Sequence, residues 1–148
     1  MTAPEQALYA YDLERTLRNR ERLRGNANLL YWYRRLYGQV FPSGLEGRRV
    51  LEIGSGTSPL KLFCPGVETS DVLALDYLDH VFDCQEIAGY AGIPDHSLDV
   101  ITLTNVLHHL KDPLGFLVGA AAKLKPGGEL VLVEPYFSAV SYPVYKLQ

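Results

Sequence analysis

The sequence predicts a doubly wound α/β domain, and three stretches carry that prediction. Val50-Leu51-Glu52-Ile53 is an apolar run whose branched and aliphatic residues suit a buried parallel strand, and Gly54-Ser55-Gly56 turns the chain sharply after it. A second strand-like run, Val100 to Thr104, is followed after Asp112-Pro113 by a helical pattern. A third, Glu129 to Glu134, comes after the turn Lys125-Pro126-Gly127-Gly128. At 148 residues the chain has the length of one domain, and 47% hydrophobic content is ample for a single core.

From the start, residues 4–24 alternate Glu and Arg around a sparse apolar set, Leu8, Leu13 and Leu17, and read as a helix stopped by Gly25. Asn26 is an N-cap for a second helix, in which Leu29, Tyr33, Leu36, Tyr37 and Val40 share one face. That face is expected to bury against the sheet, with Trp32, Arg34 and Arg35 pointing elsewhere. Phe41 to Gly47 is a linker. After Pro59 only Leu60 to Cys64 can be helical before Pro65-Gly66, so the helix after the glycine turn is cut short. Residues 67–71 form the second strand and 80–83 a short third one. In the helix beginning at Pro113, Leu114, Leu117, Val118, Ala121 and Leu124 make the expected apolar face, with Asp112 as the cap.

Residues 1–49 hold nine Arg against five acids, net +4, whereas residues 50–148 hold five Lys against twelve acids, net −7. An Arg-rich helical front is more often a solvated face than a phosphate contact, so nucleic acid is not the favoured partner. Cys64 and Cys84 are isolated, with no Cys-x-x-Cys and no secretory leader, which points to a reduced, cytoplasmic setting. No apolar run approaches the ~20 residues of a membrane span.

The chemistry begins at the glycine turn. A strand followed by Gly-x-Gly also opens the dinucleotide fingerprint, but Pro59 stands where its third glycine belongs. Glu52, two residues before the first glycine, suits a ligand with an ammonium group better than a pyrophosphate. Leu51-Glu52-Ile53-Gly54-Ser55-Gly56 resembles the first motif of the class I S-adenosylmethionine-dependent methyltransferases. Asn105-Val106-Leu107-His108-His109-Leu110-Lys111-Asp112-Pro113 and Leu124-Lys125-Pro126-Gly127-Gly128-Glu129-Leu130-Val131 resemble later segments of the small-molecule group called methyltransferase type 11. The resemblance covers residues 48–136.

The resemblance implies a Rossmann-like doubly wound sheet of about five mainly parallel strands, with residues 1–47 as an N-terminal helical cap and linker and 48–148 as the cofactor-binding core. It implies S-adenosyl-L-methionine as cofactor, with Glu52 towards its amino-acid end and Gly54, Ser55 and Gly56 against its methionine and ribose. A side chain at either glycine is expected to enter ligand space. Asp71 is the expected ribose acid, with Asp76 as the alternative; the deciding fact is which carboxylate faces the glycine turn. Asp83 and Cys84 match the position that approaches the adenine amino group, and Asn105 that near the sulfonium. Asp99 is expected to be structural.

His108 and His109 are weak candidates for proton handling. Adjacent histidines on one turn point in different directions and no Glu or Cys stands at ligand spacing, so no metal is expected. The implied reaction is methyl transfer to a small-molecule acceptor, for which alignment can suffice without a dedicated catalytic residue. The alternative is a truncated methyltransferase-like module that binds the cofactor, or nothing, without catalysis, since the family's sheet continues beyond Glu134-Pro135-Tyr136 with two more strands. That leaves the fifth strand an uncovered hydrophobic edge, to be closed by residues 136–148 or by a second chain in a homodimer.

Overall fold

A computed structural model describes residues 2–57 and 59–136. Two helices come first, α1 (Ala3–Arg24) and α2 (Ala27–Val40). The α2 start is fixed by Asn26, whose side chain accepts from the Asn28 and Leu29 amides. Strands β1 (Val50–Ile53), β2 (Glu68–Asp71), β3 (His80–Val81), β4 (Leu98–Thr104) and β5 (Leu124–Val133) form one sheet in the order β3-β2-β1-β4-β5, every pairing parallel. The order reverses at β1, so the ends of β1 and β4 open the crevice where open α/β sheets hold ligands. Helix α3 (Pro59–Phe63) is as short as its proline-bounded sequence requires.

Two apolar layers cover the sheet. Leu51, Ile53, Ile101, Leu103 and Phe116 belong to one, and Val50, Val100, Tyr37, Leu45 and Leu60 to the other. Strand alternation assigns them: odd positions of β1 face the first layer and even positions the second.

Helix α4 (Pro113–Lys123) departs from the expected face. Phe116, Gly119, Ala120 and Lys123 are buried, while Leu114 and Val118 are each 68% exposed. Small residues explain the choice. A Cβ at Gly119 would lie 2.9 Å from Ile87 Cγ2, so the helix packs its glycine and alanine closely on the 3₁₀ helix Cys84–Gly89, where larger side chains do not fit. Lys123 keeps its ammonium paired, 2.7 Å from Asp95 and 3.3 Å from the Tyr90 carbonyl.

The other differences are smaller. In α1, Leu8 and Leu17 are exposed and Leu23 is buried; in α2, Leu29 is exposed while Tyr37 is buried. The third strand shrinks to two residues because Asp83 instead caps the 3₁₀ helix, accepting from the Gln85 amide. Strand β5 begins at Leu124 rather than Glu129: Leu98 pairs with Leu124 and Val100 with Glu129, so the glycine turn is absorbed as a bulge. Asp99 is structural, accepting from the Arg49 amide and both pairing with Lys125 and tying β4 to the start of β1. β5 is an edge strand among the described residues, and the expected cover from the tail lies, beyond residue 136, outside them.

Candidate functional site

Gly54 and Gly56 both have positive φ, 66° and 40°, which a side chain tolerates poorly. The space at Gly54 is taken by protein: a Cβ there would collide with Val106 Cγ2. At Gly56 the nearest atoms to such a Cβ are 3.8 Å away, ordinary contact. A side chain at Gly54 would thus meet Val106 as well as any ligand, whereas at Gly56 the backbone conformation is the main obstacle within the chain. Ser55 is buried and turned inward. Its amide donates to the Ser70 carbonyl, its hydroxyl donates to the Glu52 carbonyl and accepts from the Ser70 amide, so it locks β1 to β2.

Asp71, at the end of β2, is the carboxylate facing this turn. Its Oδ2 accepts from the Gly56 amide at 2.9 Å and its Oδ1 from the Leu73 amide at 3.0 Å. Asp76 is exposed and lies beside Arg20 and Tyr77. Asp71 lines a cavity of about 280 Å³ at the strand ends, with Gly54, Asp83, Cys84, Val106 and His109 among the other walls. Burial pushes the Cys84 thiol up to about 11, with Asp83 and Asp71 adding to it, so Cys84 is a neutral wall and not a nucleophile.

Glu52 does not line that cavity. Its position on β1 turns it towards the layer under α2, where it is 3% exposed, and its Oε2 has no hydrogen-bond partner among the described residues. Burial pushes the carboxyl up to about 7, against the pull of Ser55 and Lys61. The Tyr37 hydroxyl is likewise buried without a partner, and burial together with Glu52 raises its pKa. Tyr33, stacked on Tyr37 with ring centroids 5.9 Å apart, is raised for the same reasons. The Glu52 Oε2 is thus a buried acceptor without a partner among the described residues, with Tyr33 and Tyr37 nearby, and a donor such as an ammonium group would satisfy it.

The end of β4 is built differently. Asn105 is exposed and held at φ 57° by its amide, which donates to the Val133 carbonyl. Asparagine is among the few side chains that adopt this conformation readily. The 3₁₀ turn Leu107–His109 follows. His109 faces the 280 Å³ cavity, whereas His108 lines a second cavity, of about 410 Å³, with Leu107, Pro113, Glu134 and Pro135. His108 Nδ1 lies 2.5 Å from Glu134 Oε2, and Glu134 Oε1 accepts from the Val106 and Leu107 amides. Burial raises the Glu134 carboxyl, but His108 and those amides more than offset it and leave it below the usual range. The described residues contain no group of three potential metal ligands.

The structure thus gathers Gly54, Asp71, Asp83, Cys84 and His109 around one cavity, and places Glu52, Ser55, Gly56 and Asn105 beside it rather than in its wall. Sequence reading missed Glu134 as the partner of His108, and Tyr33 and Tyr37 as the surroundings of Glu52. The position of Glu134 at the end of a strand next to that of His108 was the available signal.

An all-parallel sheet with its crevice at β1, a glycine turn after β1 and an acid at the end of β2 defines the class I S-adenosylmethionine-dependent methyltransferase fold. A family model described as a methyltransferase domain matches residues 18–144, and the chain belongs to that family. A solved S-adenosylmethionine-dependent methyltransferase from Archaeoglobus fulgidus superimposes with a TM-score of 0.63 at 22% identity, covering 86% of this chain and 62% of that one. The CurJ carbon methyltransferase does so with a TM-score of 0.51 at 27% identity, over 69% and 33% of the two chains. A tRNA U34 carboxymethyltransferase of Pseudoalteromonas translucida is 30% identical over 60% of this chain; the match spans 32% of that relative's length.

Proposed function

We propose that this domain transfers the methyl group of S-adenosylmethionine to a small-molecule acceptor. The observation that carries the reading is the buried Glu52 oxygen without a partner, which suits the ammonium of an amino-acid-bearing cofactor. When bound, S-adenosylmethionine supplies an electrophilic methyl on a sulfonium. Glu52 would hold the amino-acid end; Asp71 has further lone pairs for the ribose hydroxyls. Asp83 and Cys84 would border the base, and Asn105 would stand near the methionine end.

In this reading the 410 Å³ cavity takes the acceptor. His108 can accept a proton from it, and Glu134, fixed by two backbone amides, orients the imidazole through Nδ1. Among the described residues the cavity wall carries a carboxylate and neither Lys nor Arg, the wrong sign for the phosphates of a nucleic acid. That favours a small molecule over the tRNA on which the Pseudoalteromonas relative acts. The test is a methyl-transfer assay with labelled cofactor against small amines, phenols, acids and bulk tRNA. Label in tRNA alone would overturn the acceptor class.

Two further expectations belong to the same reading. Leu132, 39% exposed on the β5 edge, would mark a homodimer contact, and light scattering on L132K against wild type tests it. The free thiols Cys64 and Cys84 favour a reducing, cytoplasmic setting. No helix among the described residues is long and apolar enough to cross a membrane.

A further inference from the structure

Helix α1 reaches the glycine turn through a pair of side chains from distant parts of the chain. Arg20 Nη1 donates to the Thr57 carbonyl at 2.8 Å, and its guanidinium lies 3.5 Å from the centre of the Tyr77 ring. The Tyr77 hydroxyl in turn donates to the Gly56 carbonyl at 2.7 Å. The Gly56 and Thr57 carbonyls are thus held by Tyr77 and Arg20, and the Gly56 amide by Asp71. The helix is tied a second time near its start, where the Ala74 amide donates to the Tyr9 hydroxyl at 2.7 Å.

Between these two ties runs a polar groove of about 330 Å³, lined on the α1 side by Asp12, Arg15, Thr16 and Asn19 and on the other by Asp71 and Val72. Asp71 and Val72 line this groove and also the 280 Å³ cavity, so the two spaces meet at the expected ribose acid. A turn with two glycines at positive φ has little stiffness of its own. Stacking limits the freedom of both Arg20 and Tyr77, so their hydrogen bonds can fix the turn without much further ordering.

We infer that α1 is a clamp on the nucleoside side of the cofactor site, with Arg20 and Tyr77 as positioning residues for the glycine turn and Asp71, and Thr16 and Asn19 facing the bound ribose. This assigns to α1 a role in cofactor retention, and it rests on the S-adenosylmethionine reading above. Neither Arg20 nor Tyr77 touches the reacting atoms.

The test is calorimetric titration of the full chain with S-adenosylhomocysteine, with hydrogen exchange of the 54–57 amides measured alongside. R20M and Y77F should each weaken binding roughly five- to twentyfold, the loss expected from one hydrogen bond and the slackening of the turn, with melting midpoints near wild type. R20K should recover part of the loss, N19A should weaken binding less, and R22M, an exposed arginine of the same helix, should leave it unchanged. Exchange at residues 55–57 should accelerate in R20M and Y77F but not in R22M. Affinities within twofold of wild type for both R20M and Y77F, or an equal loss in R22M, would overturn the clamp. If R20M does not fold, Y77F, which removes a single hydroxyl, decides the matter. Failure of the wild type to bind S-adenosylhomocysteine would strike the cofactor reading instead, and the exchange rates would still show whether Arg20 and Tyr77 hold the turn.

Discussion

At the β1–β2 end of the sheet the Ser55 amide and hydroxyl, the Gly56 amide and carbonyl and the Thr57 carbonyl are all engaged by other parts of the chain, whereas at the β4–β5 end Asn105, His108 and His109 are exposed. The first region is fixed by hydrogen bonds from the rest of the chain: a buried serine joining two strands, a carboxylate bonded to two amides, and Arg20 and Tyr77 on two carbonyls. The second holds a single acid–base pair at the rim of an open cavity. A pocket for an invariant nucleotide-like ligand can be rigid throughout, while chemistry on an acceptor needs a group that is accessible and able to exchange a proton. The contrast predicts that changes in the first region reduce stability and cofactor affinity together, and that changes to the His108–Glu134 pair in the second reduce turnover alone.

The largest effect should come from Gly54→Val. A β-branched residue at φ 66° suffers left-handed strain of about 1–2 kcal/mol, and its collision with Val106 adds overpacking of about 1–3 kcal/mol. Urea denaturation should show a loss of stability of that combined order together with loss of S-adenosylhomocysteine binding. A stable G54V that binds normally would dissolve the distinction between the two regions.

Next is the pH dependence of Glu52, an acid whose folded-state pKa is raised. Between the ordinary glutamate value of 4.5 and about 7 the folded form binds the proton that the unfolded form has lost, so stability falls as pH rises through that window. The shift corresponds to a loss on the order of 3 kcal/mol by pH 7.5, and Glu52→Gln should abolish it. Glu68, Asp79 and Glu134 are shifted down, so their contributions are lost only at lower pH, as it falls through their folded values. Melting of wild type and E52Q from pH 4.5 to 7.5 separates the two; parallel curves would mean that Glu52 finds a cation in the free protein.

Asp71→Ala releases the Gly56 and Leu73 amides and should reduce both stability and S-adenosylhomocysteine affinity by ~1–3 kcal/mol each, while Asp76→Ala should stay within ~0.5 kcal/mol. The reverse order would move the ribose acid to Asp76. The smallest effect on binding should come from the second region. His108→Ala and Glu134→Gln should leave S-adenosylhomocysteine affinity within about twofold, yet lower turnover of a proton-bearing acceptor roughly 10²-fold. Equal loss of binding in both variants would show that the pair belongs to the cofactor site.

The sheet was legible because its signals are local. The apolar run 50–53, the glycine turn and the Asn105 segment each mark the end of a strand, and all five strands appear in the structure. The buried face of α4 was not, because it depends on Gly119 and Ala120 approaching the Cys84–Gly89 helix, and small residues leave no mark in a pattern of large apolar ones. The position of Asp71 against the glycine turn followed from its place at a strand end. The pairings His108–Glu134 and Arg20–Tyr77 join residues 26 and 57 positions apart, so only the folded chain brings them together.

The central proposal is that Glu52, a buried carboxyl, holds the cation at the amino-acid end of S-adenosylmethionine. Titration calorimetry at pH 7 in two buffers of different ionisation enthalpy tests it most directly. The account predicts that S-adenosylhomocysteine binds and NAD does not, that binding releases part of a proton as Glu52 ionises against the incoming ammonium, and that E52Q binds more weakly with no such release. Binding of NAD in place of S-adenosylhomocysteine, or equal affinity in E52Q with the same proton release, would contradict it.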